Sequence, residues 1–207
     1  MLISIQELQS FINQSITGIL HVGAHDCEEL QLYNSMNVQK ENIIWIDAIE
    51  EKVKYAQTRN IPNVYHAVIT DKDNDKVIFN ISNNGQSSSV LNLKTHLVEY
   101  PQIFYVNKRI QSTMTIDTFF TRNQIDPSKY NFWNMDIQGA ELMALKGSAN
   151  SLQYVNFLYL EVNEKELYEK CGLIGEIDSF LYNYNFERKI TKMTMSGWGD
   201  ALYVRKI

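Results

Sequence analysis

Short apolar runs alternate with amphipathic segments along most of this chain, and that alternation constrains its fold more than any other feature. Ile19-Leu-His-Val22, Asn42-Ile-Ile-Trp-Ile46, residues 64–69, Phe132-Trp-Asn-Met135 and residues 155–162 have the length and apolarity of buried strands. Residues 28–36, 50–59, 115–123 and 140–146 carry helical periodicity between them. Leu30, Leu32 and Tyr33 share one helical face, as do Val53 and Ala56. Further helices are expected at 164–170 and 174–184. Ser4 and Glu7 have the spacing of a capping box, so a helix over 5–13 would begin an N-terminal extension of residues 1–17. Residues 186–193 and 200–206 can pair as a closing antiparallel hairpin around Gly197 and Gly199. Repeated strand–helix units predict an α/β fold with a mostly parallel, doubly wound sheet.

Two stretches depart from this rhythm. Residues 77–81 alternate as a strand or an edge extension would. Residues 82–112 contain Asn83-Asn-Gly-Gln-Ser-Ser-Ser89 and read as a long irregular loop. Loops of that length in a compact domain are functional or mobile, so this one is expected to wall an acceptor site.

The chain has 207 residues, enough for one sizeable core, and its prolines (Pro62, Pro101, Pro127) interrupt no periodic segment. A single domain is expected. The net charge of −5 opposes a general nucleic-acid surface, which needs clustered Lys and Arg. Cys27 and Cys171 are far apart and have no metal-like spacing, as expected of reduced thiols in a cytoplasmic protein. No apolar run is long enough to cross a membrane. The first residues lack the basic segment of a secretory signal.

Ligands of doubly wound sheets bind beyond the carboxyl ends of the strands. The residues just after the strands are Gly23 to Asp26, Asp47, Val68 to Asp71, Asp136, and Glu161 to Asn163. Gly23 allows a close turn, but the remaining glycines of a dinucleotide-binding corner are missing. Asp26, Glu28 and Glu29 crowd the following helix start with negative charge, which disfavours a pyrophosphate and suits a cationic or zwitterionic ligand. Asp47, ending the second strand, can accept hydrogen bonds from both hydroxyls of a ribose.

The densest motif is Asp136-Ile-Gln-Gly-Ala-Glu-Leu-Met-Ala-Leu-Lys-Gly147. It resembles the D-[VI]-[EQ]-G-x-E-x-x-x-L-x-G pattern of the FkbM family of S-adenosylmethionine-dependent methyltransferases. Val22-Gly23-Ala24, the strand ending in Asp47, Gln86-Ser-Ser-Ser-Val-Leu91 and Leu160-Glu161-Val162 resemble further elements of that family, in the same order. The chain departs from the family's usual residues at His21, His25 and Cys27.

The resemblance implies a Rossmann-like class I methyltransferase fold, S-adenosylmethionine as cofactor and S-adenosylhomocysteine as product. It implies O-methylation of a sugar or glycan hydroxyl, with a glycosyltransferase as fusion or working partner. Cofactor contacts are expected from His21, Gly23, Ala24, His25, Asp47, Ala48, Ala67, Val68 and Asp136. Asp136 is the first candidate general base, followed by His25 and Glu161. Acceptor contacts are expected from Ser87, Ser88, Ser89, Tyr105, Arg109 and Trp198.

No metal is expected, although Asp136 and Glu161 could ligate a divalent ion that holds two hydroxyls. Other readings are methylation of another small-molecule hydroxyl or of a base amino group, an NAD(P)-binding oxidoreductase, or a non-catalytic binding domain. Base methylation lacks its usual motif, since Asp136-Ile-Gln-Gly stands where an acid or amide followed by Pro-Pro would be.

Overall fold

A computed structural model describes residues 1–206. A seven-stranded sheet forms its centre, in the order β3-β2-β1-β7-β8-β10-β9. Strands β1 (Ile19–Val22), β2 (Ile43–Asp47), β3 (Val64–His66), β7 (Phe132–Met135) and β8 (Phe157–Asn163) run parallel. The last two, β9 (Phe186–Met193) and β10 (Trp198–Arg205), form the expected hairpin, with β10 antiparallel to β8.

Both faces of the sheet are covered, so its central strands are apolar throughout. Alternation sends Leu20, Val22, Ile44, Ile46, Trp133, Met135, Leu158 and Leu160 into one core. There they meet Ile116, Phe119 and Phe120 of α5 (Ile116–Arg122), Ala144 and Leu145 of α6 (Glu141–Lys146), and Ile177 and Leu181 of α7 (Ile174–Tyr182). Ile19, Ile43, Trp45, Phe132, Phe157 and Tyr159 point the other way. They meet Leu8 of α1 (Ile5–Phe11), Tyr33 of α2 (Leu30–Ser35), and Val53 and Ala56 of α3 (Glu50–Thr58). Ser4 caps α1, and Glu7 returns a bond to its backbone as the spacing predicts.

Three expectations change. Residues 64–69 are not one strand. β3 pairs with β2, whereas β4 (Val68–Ile69) leaves at Ala67 to pair with β6 (Tyr105–Met114). The stretch 82–112 is not one loop. Its second part belongs to β6, ten residues long and antiparallel to β5 (Lys76–Ser82). No core alternation marks β6, because Val106 and Ile110, with Ile78 on the partner strand, face outward. The irregular part therefore lies between β5 and β6 and holds one short helix, α4 (His96–Glu99).

Residues 164–170 are also not a helix. Leu93 and Tyr168 form a bridge, Lys94 N–H donates to the Leu167 carbonyl, and Glu169 N–H donates to the Asn92 carbonyl. Leu167, Tyr168 and Cys171 spend their apolar surface on Leu93 in a small separate core. That tertiary pairing outweighs the local helical pattern.

Candidate active site

The carboxyl ends of β1, β2, β7 and β8 meet at one edge of the sheet, and the corner after β1 is built first. Gly23 has φ +92, and a Cβ there would lie 1.8 Å from the Asp136 carbonyl oxygen. Only glycine lets these two strand ends touch. His25 and Cys27 follow at φ 42 and 55, left-handed without being glycine. Such residues cost about 1 kcal/mol each and need outside support. Asp47 supplies it. Its Oδ2 accepts from His25 N–H at 2.7 Å, and its Oδ1 accepts from Ile49 N–H at 2.7 Å.

Asp47 is therefore a clamp between the first two strand ends, and burial raises its pKa. The same carboxyl faces a narrow cavity of about 60 Å³. Ile49, Val68, Ile69, Phe79, Val90, Ile137 and Ala140 give that cavity apolar walls suited to a nucleobase.

A second cavity of about 490 Å³ adjoins it. Gly23, His25, Gln86 and Asp136 line both. His21, Ser87, Glu161 and Trp198 line the larger one; Asp47, Ala48, Ala67, Val68 and Ser88 line the narrower one.

Four expected contacts fall elsewhere. Ala24 is sealed beneath the corner, its N–H donating to the Ile46 carbonyl. Ser89 is buried and donates to the Gln138 carbonyl at 2.9 Å, tying the serine loop to the Asp136 motif. Tyr105 donates to the Leu91 carbonyl at 2.7 Å and packs with Leu93 and Tyr168, so its ring is no stacking platform. Arg109 is held outside by Glu51, at 2.8 Å through Nη1. β6 runs in the second sheet rather than over the cavity, which is why these last two point away.

Asp136 lines both cavities and is exposed to them. Burial raises its pKa, while the Gln138 amide opposes that rise. Gln138 Nε2 donates to Asp136 Oδ1 at 2.5 Å and to Glu161 Oε2 at 2.7 Å, and its Oε1 accepts from Tyr168 at 2.5 Å. Burial, then the charge of Asp136, push Glu161 well above the usual carboxylate range. Both carboxyls are thus held above the usual carboxylate range, and a charge on Asp136 disfavours one on Glu161.

Glu141 organises the turn beneath this pair. Its Oε1 accepts from Ile137 N–H at 2.8 Å and Gly139 N–H at 3.3 Å. Burial pushes its pKa up to about 8.

The two histidines differ. His21 packs at a tilt against Trp45, ring centroids 5.0 Å apart, and shares a hydrogen bond between Nδ1 and Tyr33 Oη, 2.9 Å away. Burial lowers its pKa to about 4, so the ring is neutral. His25 is more open and pairs through Nδ1 with Glu28 Oε1 at 2.8 Å. The acids of the corner are thus less free than their sequence suggests, because Lys52 also holds Asp26 at 2.9 Å.

His25, Asp26 and Glu28 come within ligand distance of one another, a three-residue cluster not apparent from spacing. Lys52 already occupies Asp26, and the Gln138 amide occupies the other acid pair considered for a metal.

Gln138, Tyr168, Tyr159 and Asp200 also face the larger cavity, beyond the residues expected from the sequence. Gln138 lies inside the recognised motif and could have been found there. Asp200 could not: its position follows from the antiparallel register that sets it opposite Glu161.

A family profile described as Methyltransferase FkbM domain matches residues 21–188. No curated protein sequence matches the chain. Among solved structures it resembles a magnesium protoporphyrin IX methyltransferase from Synechocystis PCC 6803 with bound S-adenosylhomocysteine. The TM-score is 0.51 at 12% identity, over 98% of this chain and 80% of that one. It also resembles a protein of the NADB-Rossmann superfamily from Streptococcus agalactiae. The TM-score is 0.51 at 12% identity, over 99% of this chain and 69% of that one. These likenesses establish a Rossmann-like sheet.

Proposed function

The chain belongs to the FkbM methyltransferase family, and from that premise we propose that it is an S-adenosylmethionine-dependent O-methyltransferase acting on a sugar or glycan hydroxyl. The observation that carries this reading is the junction of two cavities at Gly23, His25, Gln86 and Asp136. A donor in the narrow cavity and an acceptor in the wide one would meet at Asp136. The solved methyltransferase it resembles holds S-adenosylhomocysteine, which supports the same cofactor here.

The residues present fit that cofactor. Gly23 forms a cradle that a Cβ would fill, Asp47 offers a carboxylate toward ribose hydroxyls, and Ala48, Ala67 and Val68 complete an apolar slot. Bound there, the cofactor supplies a sulfonium methyl group that is already strongly electrophilic. The chain's task is then to position the acceptor oxygen in line and take its proton.

Asp136 would orient the acceptor hydroxyl and receive the proton as the new C–O bond forms and the C–S bond breaks. Gln138 fixes that carboxylate through a directed N–H bond, and Tyr168 fixes Gln138. Burial and the charge of Asp136 disfavour a second negative charge on Glu161. The His25–Glu28 pair is the alternative base, because its ring also lines both cavities.

Ser87 and Trp198 would contact the acceptor from the loop and hairpin sides. Base methylation is a weaker fit, since no Lys or Arg lines the wide cavity to hold nucleic-acid phosphates. A cytoplasmic location and work alongside a glycosyltransferase belong to the same proposal. No helix among the described residues is long and apolar enough to cross a membrane.

The test is calorimetry with S-adenosylmethionine, S-adenosylhomocysteine and NAD, followed by transfer of labelled methyl groups to a glycoside panel. Binding of both sulfur nucleosides, with label appearing on sugar oxygen, is expected. Binding of NAD alone would defeat the reading.

A further inference from the structure

The wide cavity holds more carboxyl groups than the proposed reaction uses. Glu28, Glu29, Asp136, Glu161 and Asp200 line it, with no Lys or Arg among the lining residues. Each ion pair between a Lys or Arg and a carboxylate lies elsewhere, from Lys52–Asp26 at the corner to Lys192–Glu7. Glu28 has His25 as partner. Glu29 has the neutral ring of His21 at 3.9 Å, and no Lys or Arg forms an ion pair with it among the described residues.

Three of these acids form a row. Asp136 follows the last residue of β7, and Met135 is in register with Leu160, which places Asp136 level with Glu161. Glu161 in turn lies directly opposite Asp200 across the antiparallel β8–β10 ladder. Like charges directly opposite on a sheet repel one another, and here both side chains are about 6% exposed.

Asp200 Oδ2 accepts from Tyr159 Oη and Leu2 N–H. Its Oδ1 has no hydrogen-bond partner among the described residues, although the side chain is nine-tenths buried and lines the cavity. Tyr100, Tyr159, Tyr168 and Trp198 form aromatic walls around the same space. A partly desolvated carboxylate row with aromatic walls favours a cation and repels an anion.

Resting on the sugar-hydroxyl reading above, we propose that the acceptor is an amino sugar. Its ammonium group sits on Asp200 opposite Glu161, and its neighbouring hydroxyl reaches Asp136. The sulfonium cofactor answers the charge at Asp136; the acceptor's ammonium answers the charge at Asp200. Sugars bearing phosphate or carboxylate are excluded by the same field.

The test uses matched methyl glycosides: free hexosamines, their N-acetyl counterparts, and uronic acids, each with labelled S-adenosylmethionine. The free amines are expected to show kcat/KM at least about tenfold above the N-acetyl forms, by analogy with the strength of other charge-assisted contacts. The advantage should shrink with added salt, and mass spectrometry should place the methyl group on oxygen. Asp200→Asn should bring the amine-to-N-acetyl ratio close to one. Calorimetry with S-adenosylhomocysteine checks that this variant is folded.

Equal or faster methylation of the N-acetyl or uronic glycosides would overturn the amino-sugar proposal and leave the sugar-hydroxyl reading standing. Methyl transfer to nitrogen would overturn it as well. If S-adenosylhomocysteine binds but no glycoside is methylated, the sugar reading fails, and this inference fails with it.

Discussion

Glu141→Gln is expected to stabilise the protein at neutral and alkaline pH. The Glu141 carboxyl is 1% exposed, its Oε2 has no hydrogen-bond partner, and burial pushes its pKa from 4.5 to about 8. A carboxyl whose pKa is raised in the folded state binds its proton more tightly there than in the unfolded chain. Below the unfolded pKa both states are protonated, and this group adds no cost. As pH rises from 4.5 towards 8, the unfolded chain releases the proton while the folded chain retains it, so stability falls. Above about 8 the loss levels off.

With 1.36 kcal/mol per pKa unit, the wild-type chain should lose roughly 3–4 kcal/mol between about pH 5 and pH 8 through this one group. Glutamine keeps the Oε1 acceptor for Ile137 and Gly139 N–H and has no proton to lose. Its amide nitrogen replaces an oxygen that already lacks a partner, so at pH 5 the two proteins should agree within about 1 kcal/mol. Urea unfolding of both, at intervals across that range, measures the difference directly. A difference that stays constant with pH would refute the buried, protonated state of Glu141. A variant less stable at pH 8 than at pH 5, relative to wild type, would reverse the sign and refute the reasoning outright.

Gly23→Ala places a Cβ 1.8 Å from the Asp136 carbonyl at φ +92. Strain and overpacking together should cost roughly 3 kcal/mol or more and abolish S-adenosylhomocysteine binding, read by thermal melts and calorimetry. Asp136→Asn should lower kcat by about 10²–10⁴ while leaving the fold intact, and full turnover would end its assignment as base. Arg109→Ala removes only the surface pair with Glu51, so stability should change by no more than about 1 kcal/mol. Its kcat/KM should stay at the wild-type value, and a loss there would return Arg109 to the acceptor site.

Much of the fold is legible along the chain because it rests on local pattern. The runs at Ile19–Val22, Ile43–Asp47 and Phe132–Met135 are short and apolar, as strands buried on both faces must be. Ser4 and Glu7 mark the first helix through bonds only three residues apart. Gly23 and Asp136 are legible as candidate site residues because they follow strands directly, and a parallel sheet puts all such ends on one edge. Local pattern misleads where a segment's partner is distant. Residues 164–170 have helical spacing, yet bond to residues 92–94. β6 has no buried face in the main core, and its strand character comes from β5.

The sequence by itself determined the sheet, its strand ends, and the acids at three of them. The tertiary structure alone decided which of those acids meet and which way their pKa values move. Asp200 stands opposite Glu161 through antiparallel register across a long gap in sequence. Gln138 ties Asp136 to Glu161 because Met135 of β7 is in register with Leu160 of β8, which sets the two acids side by side. Pairing register sets side-chain proximity, and proximity with loss of water sets pKa; no window of sequence contains either quantity.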